Sequence, residues 1–167
     1  PKVKDEHGHK HTVIAWIWTR TVKCPNPACG CEMPLANSFE LSKKKGRESY
    51  VQPIIEGKNI TYKVKYGKNV ADPPKVGRGK FRCVCCGEAI DTKYIMQEGQ
   101  KDKIGIKLIA IIAEDKRGAI YCSPTVEHEN IAKCSMPGWK PQGEIPYHLT
   151  GGTCVPYGIN EWYKLFS

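Results

Sequence analysis

A chain of 167 residues with 40% hydrophobic and 26% charged content is long enough to bury a core of its own and does not need disulfides to fold. Its longest apolar stretch, Ile104 to Ala113, is broken by Lys107 and falls far short of the ~20 residues that a membrane-spanning helix requires. The net charge of +9 is concentrated between residues 40 and 83, where 12 Lys or Arg face 4 Asp or Glu, an excess that points to a polyanionic neighbour such as nucleic acid.

The first eleven residues are polar and carry His7, His9 and His11. Without an accompanying cysteine, this stretch (1–11) reads as a flexible terminus rather than a metal site. From Thr12 to Val22 the run of Val13, Ile14, Trp16, Ile17 and Trp18 is β-branched and aromatic, which predicts a strand leading to Cys24. A hairpin is expected next: Tyr50 to Ile55, a turn at Glu56-Gly57-Lys58-Asn59, and a return strand in which Tyr62, Val64 and Tyr66 alternate with lysines. Asp72-Pro73-Pro74 through Gly77 and Gly79 reads as a loop back to the second cysteine cluster. Beyond Cys86 the pattern stays β, with a second hairpin built from Ile106–Ile112, a turn at Glu114–Gly118, and Ala119-Ile120-Tyr121. Thr125 to Lys133 is expected to form a short helix capped by its threonine. The density of Pro and Gly from Ser135 to Pro156 forbids long elements, leaving Trp139, Tyr147 and Trp162 as candidate anchors for the tail.

Nine cysteines, at 24, 29, 31, 83, 85, 86, 122, 134 and 154, are an odd number gathered mainly in two tight groups, which suits a metal better than a disulfide framework. Cys83-Val84-Cys85-Cys86-Gly87 and Cys24-Pro25-Asn26-Pro27-Ala28-Cys29-Gly30 are turns that end in a residue free to adopt a left-handed conformation. Each can aim two sulfurs at one ion. Spacing favours Cys24, Cys29, Cys83 and Cys86 as the ligands of a single structural zinc, over Cys31 and Cys85. Four thiolates leave no open coordination position, so the ion is expected to staple the fold and not to catalyse. His128 and His148 are isolated, and no nucleophile is paired with a base. Asp72-Pro73-Pro74-Lys75 approaches the Pro-Pro-aromatic motif of amino-group DNA methyltransferases, but a lysine stands where a ring would stack on the flipped base.

The words from Trp16-Ile17-Trp18-Thr19-Arg20-Thr21-Val22-Lys23 into the Cys24–Gly30 turn, followed by Met33-Pro34-Leu35 and Leu41-Ser42-Lys43-Lys44-Lys45-Gly46, resemble the zinc-ribbon insert of the large prokaryotic adenine-specific DNA methylases. The Cys83–Gly87 turn and the stretch from Tyr157-Gly158 to Trp162, Leu165 and Phe166 look like its continuation. The resemblance implies a parent enzyme that transfers a methyl group from S-adenosylmethionine to an adenine amino group in DNA. The glycine motif that binds that cofactor and the Pro-Pro-aromatic motif would both lie outside this chain. Cys31 and Cys85 depart from the family pattern and leave the exact ligand set open.

The expectation is therefore a mostly β fold, α+β at most: a zinc ribbon with β-hairpins and one or two short helices. Its parts are a zinc-ribbon domain over 12–134 with a basic hairpin insertion over 36–80, and a Pro/Gly-rich tail over 135–167. It is read as a soluble, cytoplasmic, non-catalytic segment of a longer polypeptide, as the start at Pro1 fits. It would contact DNA or brace the catalytic domain through the rest of the parent chain, with no membrane partner. Lys43, Lys44, Lys45, Arg47, Lys63, Lys65, Arg78, Lys80 and Arg82 are the expected phosphate contacts. The rival readings are a stand-alone zinc-ribbon module for nucleic acid or protein, and a thiol redox protein using Cys83 and Cys86.

Overall fold

The computed structural model describes residues 1–5, 7–116, 118–133 and 138–165. The longest element is β2 (Lys10–Lys23), and it organises the main sheet. Its partner along most of one edge is β10 (Gly105–Asp115), antiparallel, which then turns into β11 (Gly118–Cys122). Along the other edge of β2 lie β1 (Lys2–Lys4) at its start and β3 (Glu32–Pro34) at its end. The N-terminal segment expected to be flexible thus contributes a strand. Its order has a local cause: the Asp5 carboxylate accepts the backbone N–H groups of His7 and His9 and bonds the ring of His11, closing the turn between β1 and β2.

The basic hairpin forms where its alternation predicts, as β5 (Ser49–Glu56) and β6 (Asn59–Tyr66) in continuous register around the Gly57 turn, with β4 (Glu40–Ser42) on its edge. Ile60, Tyr62 and Val64 are buried and the residues between them exposed. A third, small sheet contains β7 (Lys75–Gly77), β8 (Lys80–Arg82) and β9 (Ala89–Asp91), so the expected proline loop carries a short strand.

The continuous apolar run of β10 is explained by burial on both of its faces. Ile109 and Ala110 join the large core formed with the basic hairpin and the cysteine region. Leu108, Ile111 and Ala113 point the other way, into a second cluster with Val3, Trp16 and Trp18.

Among the described residues, two helices of eight or more residues flank this β framework. The predicted one is α2 (Val126–Lys133), whose Glu129 carboxylate takes Lys107 from β10 and Lys133 from its own last turn, both at 3.0 Å. The other, α1 (Thr92–Gln100), directly follows β9 and stands where more β structure was expected. Its N-cap Asp91 accepts the backbone N–H of Tyr94, a satisfied first-turn donor that no apolar periodicity announces.

The C-terminal segment is a string of short helical turns between Tyr147 and Leu165. It is not pinned by the expected rings, since Trp139 is 76% and Tyr147 69% exposed, although Trp162 is half-buried. Backbone contact does that work: Gly99 of α1 lies against Tyr157 and Gly158, and the Gln100 side chain donates to the carbonyls of Val155 and Pro156. The expected boundary of the tail, at Cys134 and Ser135, lies outside the described residues.

Candidate metal centre

Each cysteine turn sits at the tip of a hairpin, and the two hairpins belong to different sheets. The first joins β2 to β3. Its ends are tied by the Cys24 N–H donating to the Cys31 carbonyl at 2.8 Å, and its interior by Asn26, whose carbonyl accepts from Cys29 and Gly30 while its side chain accepts from Ala28. The second joins β8 to β9, with Cys83 N–H to the Glu88 carbonyl at 2.8 Å and Gly87 N–H to the Cys83 carbonyl at 2.9 Å. In both turns the glycine after a cysteine is left-handed, Gly30 at φ 58° and Gly87 at φ 77°. An L side chain is disfavoured there, which is why this chemistry needs glycine at that position.

The sulfurs converge. Cys24, Cys29, Cys83 and Cys86 place their Sγ atoms within 4.8 Å of one another, and so do Cys29, Cys31, Cys83 and Cys85. Sulfurs at about 2.3 Å from a tetrahedral ion lie roughly 3.8 Å apart. The observed separations of 3.7 Å for Cys24–Cys86 and 3.9 Å for Cys29–Cys83 fit that edge. Cys31 is also in the cluster, 3.3 Å from Cys29 and 3.5 Å from Cys83. Spacing picks out one of these two groups and sets aside Cys31 and Cys85, which complete the other. It ranks ligands within each turn and cannot see that the turns meet broadside. Among the described residues, all eight cysteines are free of disulfides. Cys122 is buried in the second core cluster, Cys154 is half-buried in the tail, and Cys134 is outside the described residues.

Burial pushes the thiols of Cys24 and Cys31 well up from their ordinary value, and that of Cys85 up as well, because water is not there to solvate an anion. Cys29 goes the other way, to about 6, chiefly because the backbone N–H of Cys31 donates to its sulfur. A divalent cation inverts this balance, since its charge replaces the missing solvent and holds coordinating thiols as thiolates. The donor set thus fits a soft, tetrahedral ion, and the cluster can hold one. The setting is enclosed: Cys24, Cys31 and Cys83 belong to the large core with Met33, Phe39 and Val51, and the Tyr94 hydroxyl of α1 donates to the carbonyl of Lys23 beside Cys24.

All nine basic residues singled out from the sequence are exposed. Lys43, Lys44, Lys45 and Arg47 lie in the loop between β4 and β5, Lys63 and Lys65 on β6, and Arg78, Lys80 and Arg82 on or beside β8 of the small sheet. Lys43 pairs with Glu40 at 3.2 Å, an exposed contact of little energetic weight. Lys44 and Arg47 line a shallow groove with Asp115 and with Tyr66, which is 62% exposed and whose hydroxyl donates to the Tyr121 carbonyl. The alternation makes Tyr66 a packed strand residue, whereas in the fold it lines this groove beside the two cations. Asp72, of the incomplete methyltransferase-like motif, is exposed, while Pro74 behind it is buried and accepts the Arg82 N–H on its carbonyl. His128 is half-buried and His148 exposed, and neither lies in the cysteine cluster.

No protein-family model, curated protein or solved structure matches the chain.

Proposed function

We propose that this chain is a non-catalytic zinc-stapled module that docks on DNA phosphates and serves an adenine-specific DNA methyltransferase. The observation that carries the zinc reading is the meeting of thiols from two hairpins of separate sheets, with Cys24, Cys29, Cys83 and Cys86 at tetrahedral spacing. A closed thiolate shell holds the hairpins together and offers no position to a substrate. DNA docking is supported by the basic loop and hairpin, whose selected lysines and arginines are all exposed, and by the exposed Tyr66 beside Lys44 and Arg47 in a groove that Asp115 also lines. Such contacts fix position on the duplex without reading its sequence. The methyltransferase context rests on the resemblance of the Trp16–Gly30 and Leu41–Gly46 words. In it S-adenosylmethionine is bound by the parent enzyme, beyond this chain.

The test is a duplex-binding titration of the chain across a salt series. Each phosphate contact contributes about −0.9 to the slope of log K against log salt. Reversal of Lys43, Lys44 and Lys45 to Glu should flatten that slope and weaken binding at every salt concentration. Unaltered affinity in this variant would remove the docking surface from the proposal. Equally, a chain purified without metal, with Cys83 and Cys86 cycling between dithiol and disulfide, would replace the staple by redox chemistry.

A further inference from the structure

A single four-thiolate ion leaves Cys31 and Cys85 unexplained, although both lie in the same cluster. The two four-sulfur sets are not independent, because they share Cys29 and Cys83. Geometrically they are two tetrahedra with a common edge, the 3.9 Å line between the sulfurs of Cys29 and Cys83. Cys24 and Cys86 complete one, 3.7 Å apart, and Cys31 and Cys85 complete the other. Every sulfur of the six has a place in this figure.

We propose that the cluster holds two divalent ions of the zinc group, bridged by the thiolates of Cys29 and Cys83. Cys24 and Cys86 are terminal ligands of the outer ion, Cys31 and Cys85 of the inner one. The proposal rests on the metal-staple reading and deepens it by adding the second ion.

Charge balance favours the second ion. One ion with four thiolates and two neutral thiols carries net charge −2. A second divalent ion displaces the two remaining thiol protons to solvent and leaves six thiolates around two ions, again −2. The added ion thus brings no new charge into the core. The inner site is also the better enclosed, with Cys31 and Cys83 buried and Cys29 and Cys85 half-buried, whereas Cys86 of the outer site is exposed. An unsatisfied donor lies in the same core: among the described residues the buried Tyr62 hydroxyl has no hydrogen-bond partner, and it belongs to the cluster that contains Cys31 and against which Cys85 packs. A buried hydroxyl without a partner is costly, and a metal-bound thiolate is an acceptor that an outer-shell donor of this kind supports. Bridging explains the turn sequences as well. In the first turn Cys24 and Cys31 go to opposite sides of the shared edge and Cys29 lies on it; in the second, adjacent Cys85 and Cys86 go to opposite sides and Cys83 lies on it.

The experiment loads the full chain with zinc for elemental analysis and with cadmium-113 for NMR. Two ions per chain are expected, with two cadmium resonances in the range of sulfur-rich sites, split by mutual coupling through the common sulfurs. Serine at both Cys31 and Cys85 should remove the inner ion, halving the stoichiometry and leaving one uncoupled resonance. One ion per wild-type chain would overturn the second site and leave the staple standing. No bound metal would overturn both. Two uncoupled resonances would place the second ion elsewhere, such as the histidines of the N-terminal turn, and would also overturn it. If the serine variant fails to fold, the wild-type cadmium spectrum decides.

Discussion

Stripping the metal should release the small sheet and spare the large one. Among the described residues of β7, β8 and β9, Ile90 alone is buried. Burial of one isoleucine is worth about 1.5–3 kcal/mol, and strands this short do not hold together unaided. In β10, by contrast, Leu108, Ala110, Ile111 and Ala113 are each at most 1% exposed, and its pairing with β2 runs from Gly105 to Ala113. The metal-free small sheet is therefore worth at most about 3 kcal/mol against local opening, while β10 keeps the global stability of at least roughly 5 kcal/mol usual for a folded domain. Hydrogen exchange read by mass spectrometry, before and after chelation under reducing conditions, measures both. Peptides covering Lys80–Asp91 should exchange at least roughly thirtyfold faster without metal, the factor that a difference of about 2 kcal/mol gives. Peptides of β10 should keep their protection. Unchanged exchange around β8 and β9 would refute the role of the ion as the clasp of this sheet. Equal loss in β10 would refute the division into a self-sufficient and a dependent sheet.

Three further outcomes test other parts of the fold. Gly158→Ala introduces a Cβ at φ 80°, against the carbonyl of Gly99, and should lower stability by at least about 1–2 kcal/mol, seen as a fall in Tm. Gly138→Ala, with open space around it, should be nearly silent in the same melt. The pair of Asp5 and His11 should give the N-terminal turn a pH window. Partial burial works against the Asp5 carboxylate, but hydrogen bonds from His11, His9 and His7 hold it well below the usual carboxylate range, so its support persists above about pH 4 and fades as pH falls through that lowered value. The bond to Asp5 raises His11, so its share is complete below about pH 6.5 and lost as pH rises through the raised value. An NMR titration should find the His11 midpoint above 6.5 in the native chain and lower in Asp5→Asn; an unshifted midpoint would exclude the pairing. Finally, Glu129→Gln should loosen α2 by weakening its links to Lys107 and Lys133, speeding exchange in α2 without altering metal content.

What could be read from the sequence follows from which forces act locally. The β5–β6 hairpin was legible because its alternation and its turn residues lie within one short stretch, and β10 because burial on both faces leaves a continuous apolar run. Helix α1 was not, since Ile95 and Gly99 are its buried residues and two positions make no stripe. The docking of the tail was hidden for a different reason: it depends on missing side chains, at Gly99 and Gly158, which let two backbones touch. Ring size suggested Trp139 and Tyr147 as anchors, and both are exposed. At the cysteines, spacing marks two turns whose sulfurs do come together in groups that could hold a metal ion. The broadside meeting that brings Cys31 and Cys85 into the cluster depends on how two sheets pack, which no window of sequence contains.

The long separation between the two halves of the cysteine cluster also shapes how the chain must be made. Cys24 and Cys86, whose sulfurs end 3.7 Å apart, are separated by 62 positions. At roughly 5–20 residues per second, a ribosome delivers the earlier turn several seconds before its partner. During that interval the first three thiols are exposed on a nascent strand with an incomplete set of donors. If an ion closes the cluster in the mature protein, newly made chains should be the form more vulnerable to oxidants and to capture of the wrong ion, and reducing conditions during synthesis should raise the yield.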